Sequence, residues 1–287
     1  MGVLCRVMEV TVQGFYAWRR RPPSRRAKRD QELSQKIVVF HCGSRMVYGT
    51  PRIQAALRAG GDSVSRKRVA RLMQEAGLKA RCKRKYRITT RGNSKRPVAA
   101  NLLGQEFGAG GVNQKWASDI TYIPTEEGWL YLAVVLDLYS RRVVGWSMGE
   151  RMTDELTVNA LVMALEQRIG QPGKIAGRGL VFHTDRGSQY ASGEIRRQLE
   201  KYKITQSMSG KGNCYDNAVV ESFFATLKAE EVKQQGRRGY ISRHAAQTSL
   251  FSYIEGFYNR VRRHSALGYL SPLDFEESNQ HNGSQVA

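Results

Sequence analysis

At 287 residues the chain is long enough for about two domains, and its 41% apolar and 25% charged composition is that of an ordinary globular protein. Its net charge of +21 is uneven: residues 1–100 carry 25 Lys and Arg against 5 Asp and Glu, whereas residues 101–287 carry 21 against 20. This pattern implies a basic module that grips a polyanion beside a near-neutral one with another task, and with no apolar run of roughly 18–20 residues it excludes membrane residence.

Residues 3–18 carry apolar positions at mixed helical spacing, ending in Phe15, Tyr16 and Trp18, before a basic run with Pro22-Pro23 breaks the pattern. A helix is predicted over 31–41, with Leu33, Ile37 and Phe40 on one stripe. Tyr48-Gly49-Thr50-Pro51 sets up a second, with Ile53, Ala56 and Leu57 inward and Gly60-Gly61 as its stop. Ser65 is an N-cap for a third, in which Val69, Leu72, Met73 and Ala76 share a face and Gly77 ends the run. Two short helices joined by a Gly-containing turn match a helix-turn-helix at about 48–78. The exposed start of its second helix carries Arg66, Lys67 and Arg68, donors for a DNA groove.

Residues 81–96 are dense in Lys and Arg and hold no acid. They read as an arm along phosphates, with Arg84, Lys85 and Arg87 as contacts and Tyr86 free to stack, so binding should be steeply salt-dependent. The expected organisation is a helical DNA-binding region over 1–80, a basic linker over 81–111, a second domain over 112–275 and a flexible tail over 276–287.

Past the Gly-rich 108–111 the period changes. Strands are predicted over 116–123, 129–138 and 142–148, with a turn at 126–128. A helix over 154–168 follows, with Leu156, Ala160, Val162, Met163 and Leu165 inward. A strand over 180–183, a helix over 193–201, a strand over 204–207 and a helix over 216–230 complete a mixed α/β sheet.

Three acids stand out by position: Asp119 within the first strand, Asp185 directly after the 180–183 strand, and Glu221 in the last helix. A carboxylate among apolar strand residues must be solvated, paired or metal-bound. Oxygen ligands of this kind suit Mg²⁺ or Mn²⁺, and a pair of such ions can assist an in-line phosphoryl transfer. On the final helix Val220, Phe223, Phe224 and Leu227 form the core stripe, while Asn217, Glu221 and Lys228 share a polar face. Asp137, also at the end of an apolar strand, is an alternative ligand.

Asp119, Asp185 and Glu221, with 35 residues between the last two, resemble the acidic triad of transposases and retroviral integrases. The blocks at 116–122, 183–190, 210–218 and 258–272 extend the likeness over nearly the whole chain. Together they resemble the OrfB-type transposase of the insertion-sequence-three family of bacterial mobile elements. That resemblance implies a ribonuclease-H-like core using Mg²⁺ or Mn²⁺, which nicks double-stranded DNA at the element's ends and joins the 3′-hydroxyl to target DNA. It implies Asp119, Asp185 and Glu221 as metal ligands, Lys228 as a phosphate contact, and His183 and Asn217 as supporting residues. It also implies a homo-oligomer on DNA and an upstream frameshift-fusion partner. The rival readings are a non-catalytic DNA-binding regulator and a structure-specific nuclease.

Four scattered cysteines without a Cys-x-x-Cys pair argue against a disulfide framework, and His41-Cys42 shows no second half-site for zinc. No secretory signal opens the chain. A reduced, cytoplasmic protein is expected.

Overall fold

The computed structural model describes residues 1–81, 99–170, 179–210, 217–236 and 238–283. The chain divides into two compact units, Met1–Ala80 and Arg81–Ala287. No helix among the described residues is long and apolar enough to cross a membrane.

The first unit is all helical. The 3–18 stretch is not one helix but two, α1 (Gly2–Val7) and α2 (Val12–Arg20). Glu9 at φ 53 turns the chain between them, and Thr11 accepts a hydrogen bond from the Gly14 N–H to start the second. The next helix, α3 (Arg25–Gly43), begins six residues before the expected start because Ser24 caps it through the Ala27 N–H. Helices α4 (Thr50–Ala59) and α5 (Arg66–Glu75) pack against it. Leu33, Ile37, Ile53, Leu57, Val69 and Leu72 form their shared core. The α3 stripe ends on His41 rather than Phe40: the imidazole is buried with Nδ1 3.1 Å from the Tyr48 carbonyl. Asp62, just before α5, binds Arg29 and Lys36, and these partners hold its carboxyl below the usual range.

The second unit is built on a five-stranded sheet in the order β3-β2-β1-β4-β5. Its strands are β1 (Lys115–Thr125), β2 (Gly128–Asp137), β3 (Val143–Gly149), β4 (Val181–Thr184) and β5 (Thr205–Met208). The first three form an antiparallel meander, and β4 and β5 add in parallel beside β1. β1 is therefore central, with Asp119 opposite Val134. Helices α6 (Asp154–Arg168) and α7 (Gly193–Lys201) cover one face over a core including Trp116, Val135, Phe182 and Ile195.

In α6 the inward positions are Leu156, Ala160, Leu161, Ala164 and Leu165; Val162 and Met163 are only half-buried. The helix lies so close to β3 that a Cβ on Gly145 would overlap the Ala160 carbonyl oxygen and Ala164. That close backbone approach leaves no room for a larger residue at position 145.

Helix α8 (Ala218–Glu230) lies along β1, with Asn217 as its N-cap residue. It buries Val220, Phe223, Phe224 and Leu227 as the pattern requires. Helix α9 (Arg243–Phe251) continues into a π-helical segment, Ser252–Tyr258, and α10 (Pro272–Gly283) closes the fold. Residues 276–283 are therefore no loose tail. Ser271 accepts from the Asp274 N–H to start α10, and buried Glu276 binds Arg142 and Arg168.

The 258–272 block proves to be fastening. Asn259 pairs with β3 as a strand would, its Oδ1 accepting from the Val143 N–H and its Nδ2 donating to the Val143 carbonyl, both at 3.0 Å. Arg262 donates to both carboxylate oxygens of Glu230 at 2.7 and 2.6 Å, and the Tyr253 hydroxyl adds a third bond at 2.8 Å. Both charged side chains are 4% exposed. Removing one partner strands the other charge in the interior. Arg262→Met is therefore expected to destabilise the protein by about 3–5 kcal/mol, and the Glu230→Gln/Arg262→Met double variant by less than the two single losses combined. Denaturant unfolding of the three variants measures both.

Candidate active site and DNA-facing residues

The three acids come from three different elements that converge at β1. Asp119 projects from the middle of the central strand, half-buried, with its Oδ1 accepting from the Ile120 N–H at 2.8 Å. Asp185 follows β4, the parallel neighbour of β1. Its residue is solvent-accessible, and its Oδ1 accepts from the Gly187 N–H at 2.9 Å. A Cβ at position 187 would crowd that same oxygen at 2.9 Å, which accounts for glycine there. Glu221 stands half-buried one turn into α8.

Burial, then the charge of Asp185, and more weakly that of Glu221, push the Asp119 carboxyl well above its usual range. The Ile120 N–H and the Lys228 ammonium pull it down. Loss of water around the carboxyl oxygens likewise raises Asp185, although the residue as a whole keeps solvent access, against the Gly187 N–H, and raises Glu221. Among the described residues no three acidic, His or Cys side chains converge closely enough to hold an ion by themselves. Mutual repulsion of like charges opposes such closure until a cation compensates it.

The immediate support was only partly anticipated. The Ser118 hydroxyl donates to the Val134 carbonyl at 2.7 Å and lies 2.8 Å from the Tyr190 hydroxyl. Burial raises the Tyr190 hydroxyl well above its usual range, and the charges of Asp119 and Asp185 raise it further. Asn217 donates from Nδ2 to the Ser118 carbonyl at 3.1 Å, tying the start of α8 to β1 beside Asp119. Its Oδ1 is buried with no partner among the described residues. An all-oxygen acidic set beside an unpaired buried amide oxygen fits a hard divalent cation and its bound water.

Lys228 lies on the same side of α8 as Glu221. Its Nζ sits 4.6 Å from the Tyr122 ring centroid, and burial lowers its pKa while the Asp119 charge opposes that shift. One expectation changes. Asp137 is not at this site: it is fully buried at the far end of β2, where the N–H groups of Asn113, Tyr139 and Ser140 donate to its carboxylate. His183 is fully buried, its ring nitrogens 2.9 Å from the Ser207 hydroxyl and 3.3 Å from that of Ser209. It braces β4 against β5.

In the first unit Arg66 and Lys67 are exposed at the N-terminal end of α5. Arg68 is half-buried and donates from Nε to Asp30 at 2.6 Å, so it also holds α5 to α3. Arg84, Lys85 and Arg87 lie outside the described residues.

The family matches define the class. The integrase core domain family matches residues 110–214 and, in a second form, 202–272, while an HTH-like domain family matches 28–86. The transposase InsF for insertion sequence IS3A of Escherichia coli (strain K12) is 46% identical over 278 residues, 96% of this chain and 93% of that protein. A 31 kDa protein of insertion element IS600 from Shigella sonnei is 46% identical over 274 residues, 96% of this chain and 97% of the relative. Among solved structures, the HTLV-2 integrase catalytic core domain in complex with magnesium aligns at 18% identity and a TM-score of 0.44, covering 59% of this chain and 99% of that one. The protein is a DNA-cutting and DNA-joining enzyme of the integrase-core class. More narrowly, it belongs to the IS3 family of transposases.

The raised carboxyls carry a thermodynamic signature. An acid whose folded pKa lies above its unfolded value binds more protons in the folded state, so its contribution to stability falls as pH rises through that window. In chelator, Asp119→Asn is therefore expected to be more stable than the parent, with a difference that grows as pH rises from the ordinary Asp range through the raised Asp119 value. Thermal unfolding across pH checks this; a pH-independent difference contradicts it.

Proposed function

We propose that the chain is the transposase of a bacterial insertion sequence, which cuts DNA at the element's ends and joins the freed strand to target DNA, with Asp119, Asp185 and Glu221 as its metal-holding triad. The observation that carries the reading is the placement of Asp119 on the central strand, Asp185 after its parallel neighbour β4 and Glu221 on the helix packed along β1, in a chain of this family. Mg²⁺ or Mn²⁺ held by the three carboxylates would supply Lewis-acid stabilisation of the attacking and departing oxygens.

The protein's own groups do the rest. In the first step a water oxygen bonds to the scissile phosphorus and the bond to the 3′-oxygen breaks, leaving a 3′-hydroxyl and a 5′-phosphate. In the second step that 3′-hydroxyl oxygen bonds to a target phosphorus and the target's own 3′-oxygen leaves as a hydroxyl. Both steps develop negative charge on phosphoryl oxygens, which Lys228 is placed to balance. Asp119 is held on a rigid central strand, and Asn217 ties the head of Glu221's helix to that strand, which limits how far the carboxylates must move to hold a cation.

Arg66 and Lys67 on α5, with Arg84, Lys85 and Arg87 of the basic arm, serve as phosphate contacts to double-stranded DNA, and Arg68 serves both DNA and the helical core. Two ends must be held at once, which favours a homo-oligomer on DNA, and an upstream fused region would add end recognition.

Purified protein incubated with labelled element-end duplex and Mg²⁺ or Mn²⁺ is expected to nick and join strands. Asp119→Asn, Asp185→Asn and Glu221→Gln should each lose at least about a hundredfold in rate while still binding DNA. Cleavage that survives these changes would sink the triad, and binding without chemistry in the parent would favour a regulator. Separately, Arg66→Ala and Lys67→Ala should each weaken binding uniformly across sequences and reduce the salt slope by about 1, as filter binding over a salt series reports.

A further inference from the structure

At the hairpin end of β1 and β2, two large aromatic side chains stand in solvent. Tyr122 is 51% exposed and Trp129 is 50% exposed. Their ring centroids are 4.9 Å apart and their planes lie at 75°, an edge-to-face contact. Single exposed aromatics are common and need no account. Two in contact beside a cation, on the strand that bears Asp119, form a surface with a chemistry.

Tyr122 lies three residues beyond Asp119, about 10 Å along an extended strand. Lys228 lies seven residues beyond Glu221, about 10 Å along a helix. The strand and helix meet again at that distance, where Lys228 Nζ rests 4.6 Å from the centre of the Tyr122 ring. The charge of Lys228 still reaches the Asp119 carboxyl. Alternation along β1 puts the Asp119 and Tyr122 side chains on opposite faces of the strand, and Lys228 links the two: it lies against the Tyr122 ring and its charge reaches Asp119.

A purely structural role is available. In the hairpin register Tyr122 stands opposite Tyr131 and Trp129 opposite Pro124, so the two aromatics are diagonal neighbours that can brace the turn. Bracing does not account for half of each residue remaining in water, nor for an ammonium over one of the rings. Nucleic acid accounts for both. Strands held near a reactive phosphate need a cation for the backbone and a π-face for any base that has left its stack, and aromatic faces accept every base.

Resting on the DNA-cutting reading above, we propose that Tyr122 and Trp129 form a stacking ledge for an unpaired base of the strand held at the triad, with Lys228 gripping the adjacent phosphate. The ledge reads no sequence. It favours a frayed end over a closed one, and so lowers the cost of opening the last base pairs near the cleavage point.

The test uses the full chain in chelator, where no chemistry occurs, and two duplexes that differ only in whether the terminal pairs are matched or mismatched. The parent is expected to bind the mismatched duplex more tightly and to quench 2-aminopurine placed at the unpaired position. Trp129→Ala and Trp129→Leu, the second keeping apolar bulk without a π-face, should lose about tenfold on the mismatched duplex and little on the matched one. Trp129→Phe should restore the preference. Unchanged preference in the Ala and Leu variants overturns the proposal. So does an equal loss on both duplexes with a lowered melting temperature, the mark of a hairpin brace only. Because the readout is metal-free binding, the two readings fail separately. Metal-dependent cleavage without a frayed-end preference removes the ledge alone; a preference that survives while Asp119→Asn still cleaves removes the triad alone.

Discussion

Ser118 is the joint on which the site depends. Its hydroxyl is bonded to the β2 backbone and to Tyr190 in the segment before α7, and its carbonyl accepts from Asn217 at the head of α8. The residue next in sequence is Asp119. A single buried position of the central strand therefore links the three regions that must hold still if acids far apart in sequence are to meet. Each bond is modest by itself, but all are out of water, where an unmade partner is costly. Shifting β1 by one residue would reverse which face every side chain occupies, and Asp119 with them.

The cost of that arrangement is electrostatic. Three carboxylates are brought toward one another, and among the described residues the N–H groups of Ile120 and Gly187 and the half-buried ammonium of Lys228 answer them. Burial first, and then the charge of Asp185, leave Asp119 well above its usual range. Strain of this sort is expected where a fold reserves charge for a ligand rather than neutralising it internally. Elsewhere in the molecule charge is settled locally: Asp62 with Arg29 and Lys36, Glu276 with Arg142 and Arg168, Glu230 with Arg262.

The C-terminal region illustrates what a family block is made of. The 258–272 block carries part of the family likeness, and its polar residues have structural work. In the fold Asn259 pairs with the backbone of β3, Arg262 saturates Glu230, and Ser271 starts α10. These are the buried polar contacts that hold α8, and so Glu221, against the sheet. Their sequence signal is real, and its physical cause is the demand that every buried polar atom find a partner.

Much of this protein was legible in the sequence because periodicity is a local property. The alternation and apolar runs of 116–148 marked the meander, and the stripe of Val220, Phe223, Phe224 and Leu227 marked α8 with its buried face. The two-part charge distribution separated the helical basic unit from the near-neutral one. Asp119, Asp185 and Glu221 stood out because carboxylates at such positions conflict with their apolar surroundings. What tertiary structure alone decided lies in contacts between distant segments. Nothing local in Asp137 says that three backbone N–H groups will enclose it, or in His183 that two serines of β5 and the residue after it will hold it inside the sheet. The close approach of α6 to β3 depended on Gly145 lying against the helix backbone, which no periodicity encodes. The pairing of Tyr122 with Trp129 and Lys228 likewise required a hairpin register and a helix crossing. Sequence determined which segments would fold and which acids were out of place; only the packing of β1 between β2, β4 and α8 decided which of them share a site.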